Sequence, residues 1–321
     1  MIVTVTLNAA IDRTLAVPNF RLGRRHRAVD TTSMAGGKGV NVARALKALG
    51  RPVLATGLAG GPTGTLIAEQ LSREAILNDF VRIGGESRTS TAVIDPASGE
   101  QTEINERGPS VTEEELELFV EKLLYVVRGA SLCVFAGSLP SGVDGAVYAR
   151  LITEVRRLGV ATVLDSEGEP LRQGTRAEPS AVMPNEVEAE ELVGNEFADD
   201  DDRVAAVREI VELGAREAVM TLASGCVALV GEEPNRRLCR VRLERQEEPV
   251  STVGSGDAFL AGYVGARYAG GEPEECLRFA VACGAESTSR FGAGVLDPRG
   301  VERLLPEVQV EHLGEPVLGS R

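Results

Sequence analysis

The residues best placed to do chemistry are Ser251-Thr252-Val253-Gly254-Ser255-Gly256-Asp257-Ala258-Phe259-Leu260-Ala261-Gly262, where two glycines bracket a serine just ahead of an apolar helical stretch. Lacking side chains there, the backbone can turn several N–H groups of Gly254, Ser255 and Gly256 toward one point at a helix N-terminus, an arrangement that binds phosphate or a developing phosphoryl charge. Asp257 falls in the first turn, beside that anion site, where an ionised carboxylate could accept a proton from an attacking hydroxyl. The same residues also suit a plain helix start, since Asp is favoured there in any case. A dinucleotide fingerprint would need a third glycine where Phe259 stands, and a P-loop would need Gly-Lys-Ser/Thr.

A second set is Ala35-Gly36-Gly37-Lys38-Gly39-Val40-Asn41. Gly36 and Gly37 permit close backbone approach, Lys38 offers a point charge for phosphate, and Asn41 offers a donor and an acceptor one turn later. Sugar hydroxyls and a phosphate suit this set, as does the bland alternative of a turn into a surface helix. Ala136-Gly137-Ser138-Leu139-Pro140-Ser141-Gly142 lies at the carboxyl end of an apolar strand, where open α/β sheets hold ligands. Gly57-Leu58-Ala59-Gly60-Gly61-Pro62-Thr63-Gly64 reads as a loop.

The elements that must position these residues follow from the apolar pattern. Thr112 with Glu115 forms a capping box, and Leu116, Phe119, Val120, Leu123, Leu124 and Val127 recur at helical spacing. Ser131 to Ala136 is a buried strand; a helix near 144–158 and a strand from Val160 to Leu164, ending at Asp165, complete a βαβ unit. The alternation continues through a strand at Ala181-Val182-Met183, two helices between Asn185 and Gly214, a strand Ala218 to Leu222 with a partner Val227 to Val230, and helices near 255–269 and 273–289. Strand 2–7, helix 38–49 and strand 53–57 belong to the same layers, so a mainly parallel sheet covered by helices is expected. Segments 13–34 and 86–107 alternate instead like antiparallel hairpins with one wet face, and read as a small β-sheet lid inserted in a single domain spanning 1–321. The acidic run Asp199 to Asp202 is expected to stabilise the N-terminus of a helix at 203–213. The tail beyond Val308 carries too little periodicity to assign.

Composition narrows the function. The chain has 321 residues, with 48 acidic against 34 basic, a net charge of −14, and its lysines are Lys38, Lys47 and Lys122 alone. That balance argues against nucleic-acid partners and anionic membrane surfaces, so an anionic ligand must be held by local groups. Met1 to Leu7 lacks a basic n-region, and no apolar run approaches the roughly 20 residues of a membrane span. Five scattered cysteines without a CxxC pair disfavour disulfides and thiolate metal sites, which points to a reducing cytoplasm. His26 and His312 are too few for His-ligated metals or Ser-His-Asp chemistry.

Taken together, Leu7-Asn8-Ala9-Ala10-Ile11-Asp12, the Gly36 to Leu49 helix opening, Gly137-Ser138-Leu139-Pro140, Leu164-Asp165-Ser166 with Gly168, Pro184-Asn185 with Glu188, and the Thr252 to Gly262 stretch resemble the PfkB (ribokinase-like) carbohydrate kinases, in particular the branch of 1-phosphofructokinases and tagatose-6-phosphate kinases. The resemblance implies a three-layer α/β/α fold with a β-lid, and Mg-ATP-dependent phosphorylation of a ketohexose phosphate, with fructose 1-phosphate first and tagatose 6-phosphate or fructose 6-phosphate as alternatives. It assigns Asp257 as catalytic base and Gly254, Ser255 and Gly256 as anion hole. Asp12, Gly37 and Asn41 would bind the sugar, and Lys38 and Arg88 its phosphate, with Ser138 nearby. As cations in glycine-rich or lid segments of an acidic protein, Lys38 and Arg88 would serve as unpaired anion hooks. Asn185 and Glu188 would organise magnesium through water, and Thr221, Ala223, Cys226, Thr252, Cys283, Gly284, Ser287 and Gly292 would lie along the nucleotide. Arg24 and Arg27 resemble lid residues that relatives lend to the phosphate across a homodimer formed through the lid.

The chain departs from the pattern in three places. Met183 stands where relatives carry lysine before Pro-Asn. Ala223 and Cys226 replace glycines of a Ser-Leu-Gly segment, here Thr221-Leu222-Ala223. Glu103 stands where the minor 6-phosphofructokinases carry arginine, which disfavours fructose 6-phosphate. A sugar-phosphate-binding module without chemistry and a nicotinamide-dependent dehydrogenase are the rivals from other classes; the intact Gly254 to Asp257 stretch argues against the first, and the missing fingerprint after strand 2–7 against the second.

Overall fold

A computed structural model describes residues 1–244, 250–290 and 292–313. In chain order the elements are β1 (Ile2–Thr6), β2 (Ala10–Ala16), β3 (Asp30–Gly36), α1 (Lys38–Ala48), β4 (Val53–Gly60), α2 (Gly61–Arg73), β5 (Leu77–Ile83), β6 (Arg88–Ile94), β7 (Gln101–Asn105), α3 (Glu113–Val126), β8 (Leu132–Ala136), α4 (Val147–Arg157) and β9 (Ala161–Asp165). They continue with α5 (Gly168–Arg176), β10 (Ala181–Val182), α6 (Glu186–Val193), α7 (Asp200–Glu212), β11 (Ala218–Leu222), β12 (Gly225–Val230), β13 (Arg237–Leu243), α8 (Ser255–Tyr268), α9 (Pro273–Ser287), α10 (Pro298–Leu304) and β14 (Val308–His312).

Strands whose residues are apolar on both faces need cover on both, and the large sheet has it. Its ten strands run β14-β13-β12-β11-β10-β9-β8-β1-β4-β5, parallel from β11 to β5 and antiparallel at β12, β13 and β14. One face packs on α1, α8 and α9 through Val40, Leu46, Phe259, Leu260 and Leu277; the other packs on α3, α4, α6 and α7 through Phe119, Leu151, Leu192 and Ile210. Helix α8 is buried from Asp257 to Gly265, which explains an apolar sequence with no wet stripe. The Thr112–Glu115 capping box forms, and Asp199 caps α7 with Asp200, Asp201 and Asp202 in its first turn, as expected for a helix start.

The second sheet has the order β3-β2-β6-β7. Both hairpins expected from the sequence form, and they join through a parallel β2–β6 ladder from Ala10↔Arg88 to Ala16↔Ile94. Its strands start three residues earlier and end two later than the first segment read from alternation, since the Ala10↔Gly36 pair closes the ladder.

Two corrections follow. Gly57 to Gly64 is no loop: it carries the end of β4 and the first turn of α2. A Cβ at Gly57 would stand 1.9 Å from the Thr6 carbonyl oxygen, so the glycine there marks close approach of neighbouring strands and not a turn. The tail beyond Val308 supplies β14, which pairs with β13 and has only Val308 fully buried. No helix among the described residues is long and apolar enough to cross a membrane. All five cysteines are buried and free.

Candidate active site

β1 lies between β4 and β8, so the chain leaves it in one direction and returns on the other side, which opens a crevice at the carboxyl ends of β1 and β8. Asn8 and Ser138 emerge at those ends, and the small sheet meets them through Arg88, whose Nε donates to the Asn8 carbonyl at 3.1 Å. A cavity of about 600 Å³ forms there between the two sheets, lined among others by Asp12, Gly37, Asn41, Arg88, Glu103 and Ser138. A second, of about 190 Å³, is bounded by Asp165, Asn185, Glu188, Thr221, Gly254, Gly256 and Asp257. Lys38 borders both.

Asp257 sits at the start of α8, below the Gly254 N-cap. Gly254 needs to be glycine twice over: its φ is +76°, and an added Cβ would stand 2.6 Å from the Ala293 Cα. The Asp257 carboxylate is 6% exposed and accepts a 2.9 Å hydrogen bond at Oδ2 from Asn41 Nδ2. Burial, reinforced by the Asp165 charge, raises its pKa from 3.8 to about 7, against the opposing pull of Lys38 and Asn41. A carboxyl group held near neutrality is suited to take up a proton at physiological pH. Burial also raises the pKa of Asp12, partly offset by Arg88 and Arg44. A Cβ at Gly36 would overlap Asp12 Oδ2 at 1.9 Å, so the glycine makes the room that Asp12 occupies.

The two expected anion hooks differ. Arg88 has no carboxylate within ion-pair distance among the described residues: Nη1 donates to Ser90 Oγ and the Glu106 carbonyl, and Nη2 makes no hydrogen bond. It is the unpaired cation that the sequence pointed to. Lys38 is not: its Nζ lies 2.6 Å from Asp165 Oδ1 and 3.2 Å from Glu188 Oε1. Burial opposes the Lys38 charge, but Asp165, Glu188 and Asp257 outweigh it and raise its pKa. Two carboxylates drawn together by tertiary folding have captured the ammonium.

Asn185 and Glu188 form a capping box at α6: Asn185 accepts from the Glu188 N–H at 2.9 Å, and Glu188 Oε2 accepts from the Asn185 N–H at 2.8 Å. Met183 lines the same cavity where relatives were expected to have lysine. Thr221, Gly254 and Gly256 join this wall, but Ala223, Thr252, Ser255, Cys226, Cys283, Gly284 and Ser287 line neither cavity. Cys226 on β12 and Cys283 on α9 are fully buried in the core, Cys283 against Gly262 of α8, and Ser287 turns its hydroxyl onto the Gly284 carbonyl. The core holds these three side chains, whereas Ala223 and Thr252 are exposed. Gly292 borders the first cavity, beside Met34. Arg24 and Arg27 are exposed in the β2–β3 connection and line neither cavity. Sequence reasoning gave no role to Asp165, Asn8 or Glu167, which also line these cavities or fix their walls; position at the carboxyl end of β9 was the signal available for Asp165.

A large mostly parallel sheet, a separate small sheet over its switch point, and a buried aspartate at a glycine-opened helix N-terminus are the features of a ribokinase-like kinase, a phosphotransferase acting on a sugar hydroxyl. Residues 3–299 match the model of the pfkB family carbohydrate kinases, and the chain belongs to that family. It is 31% identical over 314 residues to a 1-phosphofructokinase of Borreliella burgdorferi, covering 98% of this chain and 99% of the relative. It is 31% identical over 314 residues to a tagatose-6-phosphate kinase of Staphylococcus epidermidis, covering 97% and 99%. The phosphofructokinase-2 from Escherichia coli, solved in complex with substrates and products, superposes with a TM-score of 0.88 at 28% identity, over 95% of this chain and 98% of that one.

Proposed function

We propose that the protein transfers the γ-phosphoryl group of ATP to a ketohexose phosphate, with fructose 1-phosphate going to fructose 1,6-bisphosphate. The observation that carries the reading is Arg88, a cation without an ion pair among the described residues, facing a sugar-sized cavity whose wall includes Asn41, the hydrogen-bond partner of Asp257. Its Nη2, which donates to no group among the described residues, suits a charge-assisted hold on the sugar's own phosphate. Asp12 and Asn41 then meet the sugar hydroxyls, and Asp257 takes the proton of the hydroxyl that attacks. Glu103, on the same wall, repels a phosphate brought near it and so favours the isomer whose phosphate lies at Arg88. The names of the relatives, a 1-phosphofructokinase and a tagatose-6-phosphate kinase, support a phosphorylated ketohexose.

The second cavity fits the phosphates of the nucleotide, with Gly254 and Gly256 as the anion site and Asn185 and Thr221 alongside. Magnesium suits the donor set: no group of three or more His, Cys, Asp or Glu ligands occurs among the described residues, and Glu188 and Asp165 offer hard oxygens to a cation held mainly by phosphate and water. Such a cation neutralises charge on the transferring phosphoryl group. The small sheet acts as a lid that excludes water from the sugar cavity. Its exposed Leu22, Val29 and Ile104 favour a homodimer through the lid, which light scattering tests: a monomer removes this assignment.

The deciding assay is ADP release with Mg-ATP on fructose 1-phosphate, tagatose 6-phosphate, fructose 6-phosphate and unphosphorylated fructose. Preference for fructose 1-phosphate is expected. Preference for tagatose 6-phosphate replaces the substrate, and turnover of none overturns the reading.

A further inference from the structure

Arg44 lies on α1 one turn beyond Asn41, so the two side chains share a face of the helix. Its guanidinium is buried, at 8% exposure, and committed on every nitrogen. Nε and Nη2 grip the two carboxylate oxygens of Glu74 at 2.6 and 3.0 Å, and Nη2 also donates to the Ala35 carbonyl at 2.6 Å. Nη1 donates to the Ala293 carbonyl at 3.1 Å and to Asn41 Oδ1 at 3.3 Å. A guanidinium can only donate, so Asn41 must turn its oxygen to Arg44, and its NH₂ group is thereby aimed at Asp257 Oδ2. Among the described residues no other hydrogen bond reaches that carboxylate, and Oδ1 is left unengaged.

We propose that Arg44 is a positioning residue for phosphoryl transfer: by holding the Asn41 amide in one orientation it occupies Asp257 Oδ2 and leaves Oδ1 as the oxygen that accepts the proton of the attacking hydroxyl. The inference rests on the reading of Asp257 as the base. In the step so arranged, the hydroxyl proton passes to Oδ1 and the hydroxyl oxygen bonds to the γ-phosphorus of the nucleoside triphosphate. The bond from that phosphorus to the β–γ bridging oxygen breaks, and the nucleoside diphosphate leaves. With the amide reversed, its oxygen would face the carboxylate and favour the protonated acid. The other charges acting on Asp257 are Lys38 on α1, which favours its ionised form, and Asp165 on β9 and Asp12 on β2, which oppose it; Glu188 on α6 lines the same cavity. Arg44 makes no hydrogen bond to any of these four, although its charge lowers the pKa of Asp12, and it reaches Asp257 by hydrogen bonds through Asn41.

The test follows the Asp257 carboxyl by carbon-13 NMR titration, its signal assigned by loss in Asp257→Asn, alongside steady-state kinetics. Arg44→Met is expected to raise the Asp257 titration midpoint by about one pH unit and to lower kcat about tenfold or more, with KM for the sugar changed less than about threefold. Arg44→Lys keeps the charge but cannot hold Glu74, Ala35 and Asn41 together, so a smaller shift in the same direction is expected, and this variant decides if Arg44→Met does not fold. Glu74→Gln weakens the same helix contact without touching Asn41, and is expected to lower thermal stability while leaving the midpoint in place. A folded Arg44 variant that titrates like wild type, or a Glu74→Gln midpoint that moves as far as that of Arg44→Met, overturns the proposal. Because the titration needs no substrate, wild type that turns over no ketohexose phosphate would refute the function reading alone.

Discussion

Replacing Asp257 by Asn should make the protein more stable at alkaline pH while stopping its chemistry. The native Asp257 pKa is raised from 3.8 to about 7, so between these values the folded chain holds a proton that the unfolded chain has released. Stability contributed by this group is therefore full in acid, falls as pH rises from about 4, and is gone above about 7. At about 1.4 kcal/mol per pH unit, ionising Asp257 in the fold costs about 4 kcal/mol by pH 8, and about 1–2 kcal/mol at pH 5. Asn keeps a carbonyl oxygen for the Asn41 donor and carries no charge to bury. The gain of Asp257→Asn over wild type should thus grow by about 2–3 kcal/mol from pH 5 to pH 8, or about 3–4 °C in Tm for a chain of 321 residues. Thermal melts of both proteins at the two pH values measure the difference, in which the titrations of Glu188 and Asp12 largely cancel. The kcat should fall by about 10²–10⁴. Parallel pH–stability curves for the two proteins would refute both the burial argument and the raised pKa on which the base assignment leans.

Removing the guanidinium whose Nη2 is left free, in Arg88→Met, should raise KM for a phosphorylated ketohexose about 100-fold and leave any weak turnover of unphosphorylated fructose unchanged, as steady-state kinetics on both sugars would show. In Lys38→Met the cation that holds the Asp257 pKa down is lost, so the acid limb of the kcat–pH profile should move upward; a limb that moves downward or stays contradicts the charge arrangement. Gly254→Ala forces an L-residue to φ +76° against the Ala293 backbone, and should cost about 2 kcal/mol or more by thermal melt and weaken nucleotide binding in calorimetry. Thr112→Ala, by contrast, removes a helix cap remote from both cavities and should cost about 1 kcal/mol with kcat intact.

The layers of the large sheet were readable because their signals are local. Helix α3 announced itself by a capping box and a repeating apolar face, β8 and β9 by short runs buried on both sides, and the small sheet by alternation with turn residues between. The elements missed were those whose burial comes from remote partners. β13 and β14 alternate arginine or glutamate with apolar residues at the sheet edge, and Gly57 to Gly64 hides a strand end and a helix start behind residues that usually mark turns. The burial of Cys226, Cys283 and Ser287 was not legible for a related reason: position in a motif does not say which face of an element the core will claim.

For the site, sequence by itself determined the residue types and their local conformations. The glycines before Asp257 require a positive φ at Gly254, Gly36 and Gly37 open α1, and Asn185 with Glu188 caps α6, all through contacts within a few residues. Only the tertiary structure decided which charges meet. Lys38 finds Asp165 and Glu188 across separations of 127 and 150 residues, Asn41 finds Asp257 across 216, and Arg44 reaches Ala293 across 249. Arg88, with the same formal charge as Lys38, is left without an ion pair among the described residues. Hydrogen bonds and ion pairs act over a few ångströms, so whether a cation is spent on the protein or kept for a ligand depends on what the folded sheet brings beside it, and no spacing along the chain records that.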